Sequence, residues 1–144
     1  MIAVATAAPA LAASGVAGTL VMYTFNGWTG ENTLIWQAKV TNMWSSTTPT
    51  TGAVTLLVSF DDALVTGELK SMSGSDWTSS APVQSGSKWI YSFTYGATIG
   101  VSQDSTLLQF TVSRDVTASG SFTVDGVASA SNMTPATKSE TFAV

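Results

Sequence analysis

Acid–base or metal chemistry in this chain would rest on nine carboxylates: Glu31, Asp61, Asp62, Glu68, Asp76, Asp104, Asp115, Asp125 and Glu140. There is no histidine and no cysteine. That removes the commonest general base, the commonest metal ligand and every Ser-His or Cys-His nucleophile pair, leaving carboxylates or lysine alone. Asp61-Asp62 is the only adjacent acidic pair. Two carboxylates at a strand end can bind Ca²⁺ together with backbone oxygens. The alternating D-x-D-x-D-G spacing that marks a dedicated calcium loop is absent, so the plainer expectation is a solvated strand end that resists edge pairing. A glycosidase needs two carboxylates across a cleft, and no spacing here marks such a pair. We therefore expect a non-catalytic protein with no cofactor and no metal.

The tryptophans are the second candidate chemistry. Trp28, Trp44 and Trp77 fall in stretches that read as loops, where a large apolar ring needs an explanation. The C–H faces of sugars stack on aromatic rings, so these three are candidate glycan-binding or interface residues. The competing expectation is ordinary packing, as for Trp36 and Trp89 on their strands.

The third candidate is the opening MIAVATAAPALAASG. Residues 2–13 are apolar and small, carry no charge, and are too few to span a bilayer, which needs about 20. Ala10-Leu11-Ala12 fits the small-x-small pattern of an export cleavage site. Pro9 opposes a helix. Two readings stand: a signal remnant, or an extended strand with Ile2, Val4 and Leu11 as its apolar contacts, held in a groove by strand addition.

These residues have to be positioned by β-strands. The chain has 144 residues, enough for one domain with a core. Only 10% of residues are charged, against about 25% in ordinary soluble domains. Ser and Thr, about 42 in all, supply the missing polarity, and Thr suits a pleated surface. A net charge of -4 with five cations excludes the basic stripe a nucleic-acid partner requires.

Alternation is clear at Asn32–Thr41, with Leu34, Trp36, Ala38 and Val40 on one face. It recurs at Ala53–Phe60, at Lys88–Tyr95 and at Ser105–Ser113. Further strands are expected at Val16–Phe25, ending in an Asn26-Gly27 turn, at Leu64–Met72, at Ser121–Ala130 broken by Asp125-Gly126, and at Lys138–Val144. Asn42–Gly52 reads as a Ser/Thr/Pro loop, and Ser73–Ser87 as the longest irregular stretch. No helical period is present. This predicts an all-β, antiparallel immunoglobulin-like β-sandwich of about 7–9 strands, with residues 1–14 as an apolar N-terminal segment and 15–144 as a single domain.

KVTNMWSSTTPTTGAVTLLVSFDDALV, with SGSDWTSS, YGATIGVSQDSTLLQFTVS and GSFTVDGVASAS downstream, resembles the immunoglobulin-like repeats of prokaryotic surface proteins in the DUF11 and CARDB groups. Residues 1–14 resemble the end of an actinobacterial twin-arginine export signal, although no twin arginine and no cation precedes Lys39. The resemblance implies a secreted or cell-surface spacer, stalk or adhesion module without catalytic residues. Its expected partners are further copies of itself, other surface proteins or a polysaccharide, with no nucleic acid and no membrane span. Asn132-Met133-Thr134 fits a glycosylation sequon, read here as chance.

Overall fold

The computed structural model describes residues 18–144. The candidate strand residues Ile2, Val4 and Leu11, and the 1–14 segment as a whole, lie outside the described residues. Eleven strands and no helix make up the described chain: β1 (Gly18–Gly30), β2 (Thr33–Asn42), β3 (Val54–Asp61), β4 (Val65–Ser73), β5 (Trp77–Ser79), β6 (Val83–Ser85), β7 (Lys88–Tyr95), β8 (Leu108–Arg114), β9 (Ser121–Ser129), β10 (Met133–Thr134) and β11 (Ala136–Ala143). One sheet runs β11-β9-β3-β7-β5, with β6 also on β7. The other runs β10-β1-β2-β8-β4. Every pairing is antiparallel except the two-residue parallel contact of β10 with Gly18-Thr19 of β1.

The two sheets form an immunoglobulin-like sandwich because period-2 alternation gives each strand one apolar face. Leu34, Trp36, Ala38 and Val40 of β2 meet Val54, Leu56, Val58 and Phe60 of β3, all fully buried. Trp36 is the hub. It packs edge-on against Phe25 at 5.3 Å, Phe60 at 5.7 Å and Phe142 at 5.8 Å between ring centroids, joining both sheets. Aromatic pairs in this geometry add about 0.5–1.5 kcal/mol each beyond the area they bury.

Two turn signals in the sequence prove to be seats for rings. Asn26-Gly27 is not a turn: β1 continues through it, Gly27 pairs with Trp36, and a Cβ on Gly27 would collide with the indole. The real turn follows at Glu31-Asn32, where Asn32 takes φ 57°. Likewise β9 runs unbroken through Asp125-Gly126, and a Cβ on Gly126 would stand 2.5 Å from the Phe25 ring. Glycine in these strands serves close approach.

The stretch 73–87 is not irregular either. It carries β5 and β6, both paired to β7. The count exceeds nine because β5, β6 and β10 have only two or three residues each, too few to show a period in the sequence. Among the described residues no helix is long and apolar enough to cross a membrane.

Candidate functional site

The buried polar side chains gather at one end of the sandwich. Asn42, Ser46, Thr50 and Ser105 are all buried, and all lie where β2 ends and the loops 43–53 and 99–107 begin. Buried polar groups tend to be paired, and each of these four bonds to strand or loop backbone, although Asn42 Oδ1 is left without a partner. Asn42 Nδ2 donates to the carbonyls of Thr48 at 3.0 Å and Ile99 at 3.1 Å. The Ser46 hydroxyl accepts from Thr19 N at 2.9 Å. Thr50 Oγ1 accepts from Ile99 N at 2.9 Å, and Ser105 Oγ from Val40 N at 3.0 Å. Asn132 closes the set: its Oδ1 accepts from Thr51 N and its Nδ2 donates to the Pro49 carbonyl, both at 3.0 Å. The sequon asparagine is thus a loop tie.

The result is a pinned loop with an exposed ring on it. A turn closes from Ser46 N to the Met43 carbonyl at 2.9 Å. Trp44 stands at its tip with 76% of its surface exposed. Holding the backbone beforehand lowers the entropy lost when such a ring meets a partner.

The other two candidate tryptophans lie elsewhere. Trp28 is on β1, not in a loop, and is 41% exposed beside its cross-strand neighbour Ile35. From Ile35 to Asn42 is seven residues of β2, roughly 23 Å, so Trp28 and Trp44 sit at opposite ends and make no common platform. Trp77 is buried, on β5. Its Nε1 donates to the Thr106 carbonyl at 2.9 Å and its ring lies 5.1 Å from Tyr95. It anchors the edge of the six-stranded sheet and is not available for stacking.

The carboxylates are dispersed, and six of the nine accept hydrogen bonds from side chains or backbone. Asp61 Oδ1 accepts from Ala63 N at 2.8 Å, and Asp62 Oδ2 from Gln84 Nε2 at 3.2 Å, so the acidic pair shapes the turn after β3. Asp104 accepts from the Thr41 hydroxyl, Glu68 from Ser113 and Asp125 from Ser139. The Thr117 hydroxyl and amide hold the Asp115 carboxyl below the ordinary carboxylate range. Burial first, and the charge of Glu68 second, push the Tyr91 hydroxyl far above its ordinary value. Tyr91 therefore stays a protonated donor to the Glu68 carbonyl at 3.3 Å. Among the described residues no three His, Cys, Asp or Glu side chains come together as a metal cluster.

Sequence reasoning missed Asn42 as the clamp, although a signal was present. Positions 34, 36, 38 and 40 all face inward, and Asn42 continues that parity. An amide at an inward position has to find partners inside.

No family model and no curated protein matches this chain. Solved structures match its fold. AvmM, whose structure is described as catalysing macrocyclization in alchivemycin A biosynthesis, aligns over 90% of both chains with a TM-score of 0.52 at 8% identity. The major pilin SpaA of Corynebacterium diphtheriae aligns with a TM-score of 0.50 at 8% identity over 77% of this chain and 31% of the pilin. The collagen-binding domain of a Staphylococcus aureus adhesin covers 86% of this chain and 98% of that domain, with a TM-score of 0.47 at 11% identity.

One of these folds carries a catalyst and another a pilin, so the fold alone does not decide function. The SpaA structure is described as stabilised by isopeptide bonds. A lysine–amide cross-link of that kind needs a lysine enclosed beside its acceptor. Lys39, Lys70, Lys88 and Lys138 are all half-buried or exposed, and the enclosed amide, Asn42, is bonded to backbone carbonyls. Packing and loop ties hold this sandwich together.

Proposed function

We propose that this chain is an exported, non-catalytic module of the cell surface, a rigid β-sandwich that builds or decorates an extracellular assembly, joined to its neighbours by its apolar N-terminal segment. The observation that carries the reading is where the polar groups go. Asn42, Thr50, Asp61 and Asp115 fix turns and loops, and Glu68 joins two neighbouring strands through Ser113, so these polar groups stiffen the module. The likeness in fold to a pilin module and the Ser/Thr-rich, weakly charged surface support it.

The test is the oligomeric state. Deleting residues 1–14 is expected to reduce the mass of the full chain, measured by multi-angle light scattering, to that of a monomer. An unchanged mass rejects joining by this segment.

A second reading, adhesion, is favoured by one observation: the pinned turn that presents Trp44. The ligand would be another surface protein or a polysaccharide. Trp44→Ala is expected to change stability by less than about 0.5 kcal/mol, as for an exposed ring with few contacts. It should abolish retention on a polysaccharide or protein-coated resin that holds the parent. Equal retention of the two proteins removes Trp44 from any such site.

A further inference from the structure

The two sheets leave edges that differ sharply in protection. At the outer edge of the five-stranded sheet, β4 carries Glu68 and Lys70, two register irregularities against β8, and Gly67 at φ 88°. Charges and bulges on an edge strand oppose pairing with another chain. β5 and β6 have three residues each, and β11 bears Lys138 and Glu140.

β1 has none of these charges. From Leu20 to Gly30 it reads LVMYTFNGWTG without a single charged residue. Its bulge lies toward β2, where Met22 and Tyr23 fall between the pairs Val21↔Thr41 and Thr24↔Lys39. Among the described residues, nothing pairs with the opposite side of β1 beyond Thr19, because β10 stops at Thr134 and Pro135 sends the chain across to β11. An open groove remains there. Leu20, Val21, Met22 and Tyr23 form one wall, and Pro135, Ala136, Thr137 and Lys138 the other. Tyr23 lies in it with 69% of its surface exposed.

We infer that this edge of β1 accepts the apolar N-terminal segment of a second copy as an added strand, with the β1–β11 groove receiving its side chains. The inference rests on the strand-joining reading above and names the surface that reading lacks. Length and charge fit. Residues 2–13 are twelve residues without a charge and reach roughly 40 Å when extended, enough to follow the eleven uncharged residues Leu20–Gly30. Main-chain hydrogen bonds supply affinity in such additions, and alternate side chains seated in a groove supply register.

Connectivity selects a second copy over the same chain. A chain's own segment enters β1 at Gly18, and a hairpin back onto that edge would pair first beside its turn. Met133 and Thr134 already hold that edge at Gly18 and Thr19. A segment arriving from another molecule can enter the groove at Leu20–Tyr23 without displacing that pairing.

The chain has no cysteine, so an engineered pair can report the contact. One chain would carry Tyr23→Cys. A second, of different tagged mass, would carry Ile2→Cys, Val4→Cys or Leu11→Cys in turn, to cover the unknown register. Mild oxidation of the mixture is expected to give a disulfide-linked heterodimer for at least one of the three. Val116→Cys, comparably exposed at 61% but in the turn before β9, is expected to give none.

In parallel, Tyr23→Lys in the full chain is expected to weaken self-association at least tenfold by sedimentation, with an unchanged circular dichroism spectrum. If deletion of residues 1–14 abolishes association while no cysteine pair cross-links and Tyr23→Lys has no effect, this acceptor edge is wrong and the strand-joining reading stands. If a single chain bearing Tyr23→Cys and Val4→Cys closes on itself at monomer mass, the occupant is its own segment and the inference is overturned. If the deletion changes nothing, the underlying reading falls.

Discussion

Gly27→Ala should cost at least about 2–3 kcal/mol of folding stability, a fall in melting temperature of roughly 10 °C. One methyl group has this effect because there is nowhere to place it. A Cβ at position 27 meets the six-membered ring of the Trp36 indole on one side and stands 2.7 Å from the Ile35 carbonyl on the other. Trp36 cannot yield, since Phe25, Phe60 and Phe142 surround it from both sheets and it is completely buried. A double-mutant cycle separates this account from a general loss of strand propensity. Trp36→Phe alone should cost about 1–2 kcal/mol for the cavity it opens, partly offset because Trp36 Nε1 is a buried donor without a hydrogen-bond partner. In the double variant the smaller ring makes room for the methyl, so the two costs should sum to less than their separate values. Rescue stays partial because the Ile35 carbonyl does not move away. Additive costs, measured by denaturant titration, would sink the steric explanation.

The same glycine shows what sequence could and could not convey. Period-2 alternation was strong wherever a strand buries one face, so the sandwich and most of its core were legible: β2, β3, β7 and β8 occupy nearly the expected ranges. Asn-Gly and Asp-Gly were misleading, because the dipeptide that favours a tight turn also leaves space above a strand, and only the partner sheet distinguishes the two uses. Trp77 was misplaced for a related reason. Its strand has three residues and derives its inward direction from pairing with β7, not from a pattern of its own. The candidate site was less legible still. Trp44 was identifiable as a loop aromatic, but the ties that hold its loop join residues up to 83 apart in sequence, and no local signal carries such pairings.

Asn42→Leu should cost about 2–4 kcal/mol, and its consequences should concentrate at the Trp44 end of the molecule. The leucine roughly conserves volume but removes both side-chain hydrogen bonds, leaving the half-buried Thr48 carbonyl without this donor and the buried Ile99 carbonyl with Thr50 N alone, a loss partly offset by removing the unpartnered Asn42 Oδ1. Since the same two segments form the loops 43–53 and 99–107, amide hydrogen exchange should accelerate there while β3 and β7 retain their protection. Asn42→Asp provides a sharper control. It places a carboxylate, an acceptor only, against two carbonyl oxygens at a position fully buried from solvent. The introduced carboxyl would have its folded-state pKa raised above the unfolded value. Its protonated form, which can donate to one of the carbonyls, is then favoured on folding, so its contribution to stability is present at low pH and lost as the pH rises through the folded pKa. Relative to the parent at each pH, Asn42→Asp should therefore be least stable near pH 7 and recover toward pH 4. A pH-independent deficit would mean that the carboxylate escapes to solvent, and that residue 42 is not the enclosed clamp of the loop that carries Trp44.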